Sequence, residues 1–219
     1  MNASIATRLR LQVVSDIICP WCFIGKRTLD QALEILEARD IHIEVEWVPY
    51  QLNPTLPAEG MDRKAFRTVR FGSWANAQSM DARAVEVGRT VGADFHYERQ
   101  TRTSNTLAAH ALVRLARSEG GPALQARVVE ALFVAYFTNG EDVGDRAVLA
   151  RLAEVSGMAA DAVTRSMSLR DEVRELEERI RGTGLNGVPS YLVDGKMLLS
   201  GSQTVDGYVQ ALATASGAN

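Results

Sequence analysis

Leu9-Arg10-Leu11-Gln12-Val13-Val14-Ser15-Asp16-Ile17-Ile18-Cys19-Pro20-Trp21-Cys22 is the stretch that decides the fold. Leu9, Leu11 and Val13 alternate with Arg10 and Gln12, which is the period of a strand. Just beyond, Leu29, Leu33 and Leu36 in the run Gly25 to Arg39 fall on one helical face. The only two cysteines of the 219-residue chain sit at the junction. A CxxC pair in that setting places its first sulfur at a helix N-terminus, where unpaired N–H groups and the helix dipole favour an anion. The second sulfur lies one turn along, within reach to close a disulfide. This is the geometry of thiol–disulfide exchange.

Working outward, Ile41, Ile43, Val45 and Trp47 alternate with His42, Glu44 and Glu46. The pattern predicts a strand with one solvated face at a sheet edge, ended by Pro49 and Pro54. Strand, helix and strand at this spacing read as a right-handed βαβ unit. From about Pro57 to Arg181 strand signals vanish and helical periodicity takes over. Helices are expected at 62–71, 80–91, 105–118, 122–137, 145–156, 159–169 and 171–181, separated by Gly and polar clusters such as Gly120-Gly121-Pro122. Phe66, Phe71, Trp74, Phe133, Tyr136 and Phe137 are expected to give this region its own aromatic core. The run from Arg170 to Arg181 reads as a solvated helix face.

The end of the chain returns to β character. Ser190–Val193 and Lys196–Ser200 flank Asp194-Gly195, a type I′ hairpin signal. A last helix follows, capped by Ser202 or Thr204. The order β-α-β, helices, β-β-α is an α/β thioredoxin-like fold with a large helical insertion. Its expected domains are 8–56 with 182–219, and 57–181 as the insert.

Bulk properties narrow the function. Net charge is −3 and the sequence pI about 5.7, so no basic field argues for nucleic acid or an anionic membrane. No apolar run is long enough for a membrane span. Met1 to Arg10 is polar and does not read as a secretory signal, so cytoplasmic residence is expected. In that compartment a CxxC is catalytic, redox-sensing or metal-binding rather than a structural staple. Zinc would need further ligands, and neither a second CxxC nor a ligand spacing among His42, His96 and His110 supplies them. No metal and no prosthetic cofactor are therefore expected.

Cys19, at the helix start, is the expected nucleophile, and Cys22 the resolving thiol. A free thiol of pKa about 8.5 is only about 7% ionised near pH 7.4, whereas one lowered to about 7 is roughly 70% thiolate. Pro20 suits the first helical turn, where its missing N–H costs nothing. Trp21 brings no charge, so backbone donors and the dipole must act on Cys19. The competing reading, two inert core thiols, fits the strand–CPWC–helix setting less well. Before the hairpin stands Gly187-Val188-Pro189-Ser190. A proline at a strand entry is ordinarily a turn or edge device. In a thioredoxin fold, however, it is cis, faces the CxxC and leaves the Val188 backbone to pair with an extended substrate.

These residues resemble a known family. Asp16 to Lys26, with Cys19-Pro20-Trp21-Cys22 inside it, is similar to the active-site segment of the FrnE-like branch of the DsbA family. Pro49-Tyr50-Gln51-Leu52-Asn53-Pro54, Asn105-Thr106 with Ala109-His110, and Gly187-Val188-Pro189 with Gly201-Ser202-Gln203 resemble further segments of that branch. The resemblance implies thiol–disulfide oxidoreductase or isomerase activity on protein or small-molecule disulfides, with Cys19 and Cys22 as the redox pair and Pro189 as the cis proline. Glutathione is a possible co-substrate, and a homodimer a possible assembly. Pro20, Trp21, Val188, Pro189, Asn53 and His110 are the candidate substrate-binding residues. Asn53 also reads as a turn residue, and His110 as a packed, hydrogen-bonded one. Two departures matter: Trp21 stands where the DsbA archetype has histidine, and no extra cysteine pair exists. The same architecture serves 2-hydroxychromene-2-carboxylate isomerases and kappa-class glutathione transferases. Those carry serine at the position of Cys19, which makes glutathione-dependent isomerase or transferase chemistry the alternative. A peptide-binding module using the groove between the two regions is a third reading.

Overall fold

The structure, a computed structural model, describes residues 9–217. Most of the polar N-terminal segment read above lies outside them. Strand β1 (Leu9–Ser15) runs into helix α1 (Pro20–Glu37), and β2 (Ile43–Pro49) follows. Strands β5 (Ser190–Val193) and β6 (Lys196–Ser200) complete a four-stranded sheet in the order β2-β1-β5-β6. β1 and β2 are parallel, and the other two pairings antiparallel. Asp194 and Gly195, at φ 51° and 73°, make the expected tight turn. Helix α8 (Val205–Ala215) closes the chain, capped by the Thr204 hydroxyl accepting from Gly207 N–H.

Register explains why the cysteines are surrounded as they are. Ser15, the last residue of β1, pairs with Pro49, while Val14 faces Ser190. The loop leaving β1 therefore emerges with Tyr50 to Asn53 on one side and Val188-Pro189 on the other. The Val188–Pro189 peptide is cis.

Between the halves lie α2 (Arg63–Phe71), α3 (Trp74–Val91), α4 (Leu107–Phe133), α5 (Arg146–Val155), α6 (Ala162–Ser166) and α7 (Arg170–Gly182). Four expectations need correction. Helix α3 starts at Trp74 rather than Met80, because Ser73 caps it through Oγ to the Asn76 N–H (3.0 Å), although the first turns carry little apolar pattern. The strand signal does not vanish: β3 (Met61–Asp62) pairs with β4 (Arg102–Thr103), each too short to show a period. The break expected at Gly120-Gly121-Pro122 is there: α4 is two helices joined across a kink at which both glycines leave helical backbone.

The polar face of β2 is not open to water either. Helix α4 covers it, pairing Arg117 with Glu44 at 2.6 Å. The strand is at the sheet edge, as expected, and there the buried Gln125 side chain imitates a neighbouring strand. Its Oε1 accepts from the Trp47 N–H and its Nε2 donates to the Trp47 carbonyl, both at 2.9 Å. Such an edge has no backbone groups left to template another chain at that position.

The aromatic core is shared rather than separate. Phe23 of α1 stacks on Phe133 and Phe137 (5.3 and 5.8 Å) and meets Phe95 edge-on at 5.6 Å. One continuous cluster of buried residues runs from the sheet through these rings into α4 and α5. Phe66, Phe71 and Trp74 are only half-buried and stay out of it.

Candidate active site

The cysteine loop is built on one buried carboxylate. Asp16 is 0% exposed, and its Oδ2 accepts from the Leu52 N–H at 2.7 Å. Its Oδ1 lies 3.2 Å from His110 Nε2 of α4. The Asp16 carbonyl in turn accepts from the Cys19 N–H at 3.1 Å. A carboxylate out of water is tolerable only with such partners, so this residue fixes the loop to both the β2 exit and the helical region.

Cys19 occupies the N-cap of α1 with extended backbone, and its carbonyl accepts from the N–H groups of Cys22 (3.1 Å) and Phe23 (3.3 Å). Its thiol points to the Val188 carbonyl at 3.7 Å, a weak S–H donor contact. Cys19 is 4% exposed and Cys22 1%, so both are more buried than an exposed nucleophile would suggest, with Cys19 the outer of the two. Both thiols are free. Burial, reinforced by the neighbouring Cys19, pushes the Cys22 thiol well above its ordinary range. Cys22 is held as a neutral thiol behind its partner.

Above Cys19 opens a cleft of ≈ 280 Å³. One wall is Ile18, Pro20, Trp21 and Val188, and a second is Leu52 with Asn53. The third, which the sequence did not mark, comes from α2 and α3: Phe66, Arg67, Phe71 and Met80. Arg67 and Arg63 share Asp81, at 2.5 and 2.6 Å, which pins α2 to α3 and holds that wall in place. Phe66 and Phe71 thus face a cleft, which is why they do not join the core.

The structure brings Pro20, Trp21, Asn53 and Val188 to the cleft with Cys19. Asn53 also serves its local turn, its carbonyl accepting from the Leu56 N–H at 3.2 Å. Two further candidates, His110 and Pro189, stand outside the cleft lining. His110 is buried behind the loop and spent on Asp16. Pro189, which follows Val188 through the cis peptide, is buried near Gly25 and does not line the cleft. Asp16 was missed as a site residue; its only signal was a carboxylate in an otherwise apolar strand exit.

Comparisons with known proteins agree with this architecture. A crystal structure of a probable DsbA oxidoreductase from Streptomyces coelicolor matches with a TM-score of 0.83 at 28% identity, covering 97% of this chain and 92% of that one. The cytosolic disulfide reductase DsbM from Pseudomonas aeruginosa, solved with GSH, has the same fold at a TM-score of 0.65 and 16% identity, with 95% and 98% coverage. YwbO of Bacillus subtilis, an uncharacterized protein, is 23% identical over 209 residues, 93% of this chain and 96% of its own. Residues 10–213 match the family described as DSBA-like thioredoxin domain. A parallel βαβ unit with CPWC at the start of its helix, a cis proline across from it and this match together establish that the chain belongs to the DSBA-like thioredoxin domain family.

Proposed function

We propose that this protein is a dithiol–disulfide oxidoreductase that reduces or isomerises protein or small-molecule disulfides, with Cys19 as nucleophile and Cys22 as resolving thiol. One observation carries the reading: Cys19 lines the cleft while Cys22 sits a turn behind it, buried and neutral. An incoming disulfide meets only the first sulfur.

In the reductive direction the Cys19 thiolate attacks one substrate sulfur. A Cys19–substrate bond forms, the substrate S–S bond breaks, and the other substrate sulfur leaves as a thiolate. Cys22 then passes its proton to the released substrate thiolate and attacks the Cys19 sulfur, so that the second substrate sulfur departs as a thiolate and Cys19–Cys22 becomes a disulfide. Two electrons pass from the dithiol to the substrate. The raised Cys22 thiol keeps the mixed disulfide from resolving until a base takes that proton, which gives time for isomerisation. Two glutathione thiols would restore the dithiol, leaving as oxidised glutathione. The Val188 backbone, Pro20, Trp21 and Asn53 would hold the substrate chain, with apolar flanks against Phe66 and Phe71.

With Trp21 in place of histidine the strong oxidising power of the DsbA archetype is not carried over, and a cytoplasmic setting, where the dithiol prevails, favours reduction or isomerisation. The CPWC segment and the Gln51-Leu52-Asn53-Pro54 loop support the FrnE-like branch. Cys19, in place of serine, counts against glutathione-dependent isomerase or transferase chemistry. The assay is insulin reduction with thiol donor. The wild type is expected to be active and Cys19→Ser to fall to background; an undiminished Cys19→Ser protein would refute the assignment.

A further inference from the structure

A cavity of ≈ 510 Å³ opens between the loop after β2, the start of α4 and α7, and shares no lining residue with the cysteine cleft. Its size falls in the range of small-molecule sites, roughly 300–1,000 Å³. Pro54, Leu56, Leu107 and Ala108 give it an apolar side. Helix α7 supplies the charge: three arginines against two glutamates, one net positive charge on the wall.

The three arginines are not equivalent. Arg181 pairs with Glu177 at 2.6 Å, donates to the Tyr50 hydroxyl at 2.8 Å and binds the Gln51 carbonyl. Arg174 pairs with Asp171 at 2.6 Å. The Arg170 side chain has no hydrogen bond or ion pair among the described residues, and its Nε is without an acceptor. Its guanidinium therefore lines the cavity with donors that no protein acceptor uses. A guanidinium presents its donors as a planar fork that matches a carboxylate. Glu177 and Glu178 on the same wall work against ligands of higher negative charge.

We propose that this cavity binds a small organic monocarboxylate, its carboxylate on the Arg170 fork and its apolar body against Leu56 and Leu107. The site is independent of the cysteine chemistry and stands or falls without it.

The test is an amide chemical-shift titration of the full chain with three probes: benzoate, uncharged benzamide and inorganic phosphate. Benzoate is expected to give saturable shifts at Gln51, Ala108 and Gly144, and benzamide none. Arg170→Gln should weaken benzoate at least about tenfold, the loss of a charge-assisted pair. Arg170→Lys, which keeps charge but not the fork, should fall between, and it serves alone should the glutamine variant misfold. No saturable benzoate shift, equal binding of benzamide, undiminished affinity in both variants, or phosphate binding more tightly than benzoate would each overturn the proposal.

Discussion

At the residue scale, the site depends on a group that does no chemistry of its own. Asp16 holds the Leu52 N–H and His110 from inside the protein, and its carbonyl holds the start of α1. Asp16→Ala would leave buried donors without acceptors, at a cost of about 2–3 kcal/mol. Asp16→Asn keeps one oxygen for them and should lose less. Urea unfolding of the two variants measures the difference; equal stability of wild type and Asp16→Ala would show that the pair is not holding the loop. The cysteines and Pro189 were legible in the sequence because their residue types are rare and their spacing is fixed by chemistry. Asp16 and His110 were not, because their partnership spans 94 positions and no local pattern encodes it.

At the element scale, α1 approaches the sheet closely at Gly25. A Cβ there would stand 2.5 Å from the Tyr191 hydroxyl, 3.2 Å from that of Tyr208 and 3.4 Å from Pro189 Cγ. Neither tyrosine is free to move, since the two buried hydroxyls are hydrogen-bonded to each other. Alanine would improve helix propensity by up to about 1 kcal/mol, but overpacking of this kind typically costs 1–3 kcal/mol, about as much or more. Gly25→Ala is therefore expected to be destabilised in chemical denaturation and to lose disulfide reductase activity as Pro189 shifts. A variant as stable and active as the wild type would contradict the packing account. The strands and most helices were legible because alternation and the 3.6-residue period are local. The start of α3 was not, as Asn76, Gln78 and Ser79 hide a helix that only its Ser73 cap announces. The role of Gln125 was equally hidden, since a side chain completing a strand edge leaves no periodic trace.

At the scale of the whole molecule, burial of ionisable groups sets the response to pH. The folded protein holds the Cys22 proton more tightly than the unfolded chain does, and burial raises Tyr191 likewise and Tyr208 to about 12. For a raised group the stabilisation is complete below the unfolded value and is lost as pH rises towards the folded one. Stability of the reduced protein should therefore fall above about pH 9, with a slope of up to about 1.4 kcal/mol per pH unit for each group titrating. Denaturant unfolding at several alkaline pH values measures it. Cys22→Ala should flatten the first part of the fall and leave the tyrosine part; an unchanged profile would place the alkaline loss elsewhere. The α/β architecture was legible from element order alone. The shared aromatic core was not, because Phe23, Phe95 and Phe133 are brought together only by the packing of α1 against the inserted helices.

The division of labour between the two sulfurs is tested most directly by timed alkylation of the reduced, folded protein near neutral pH, followed by peptide mass spectrometry. Cys19 is expected to be modified faster than free cysteine and Cys22 only after denaturation, since one lines the cleft and the other is buried with its proton held. Equal labelling of both, or a Cys19 no faster than free cysteine, would contradict the account.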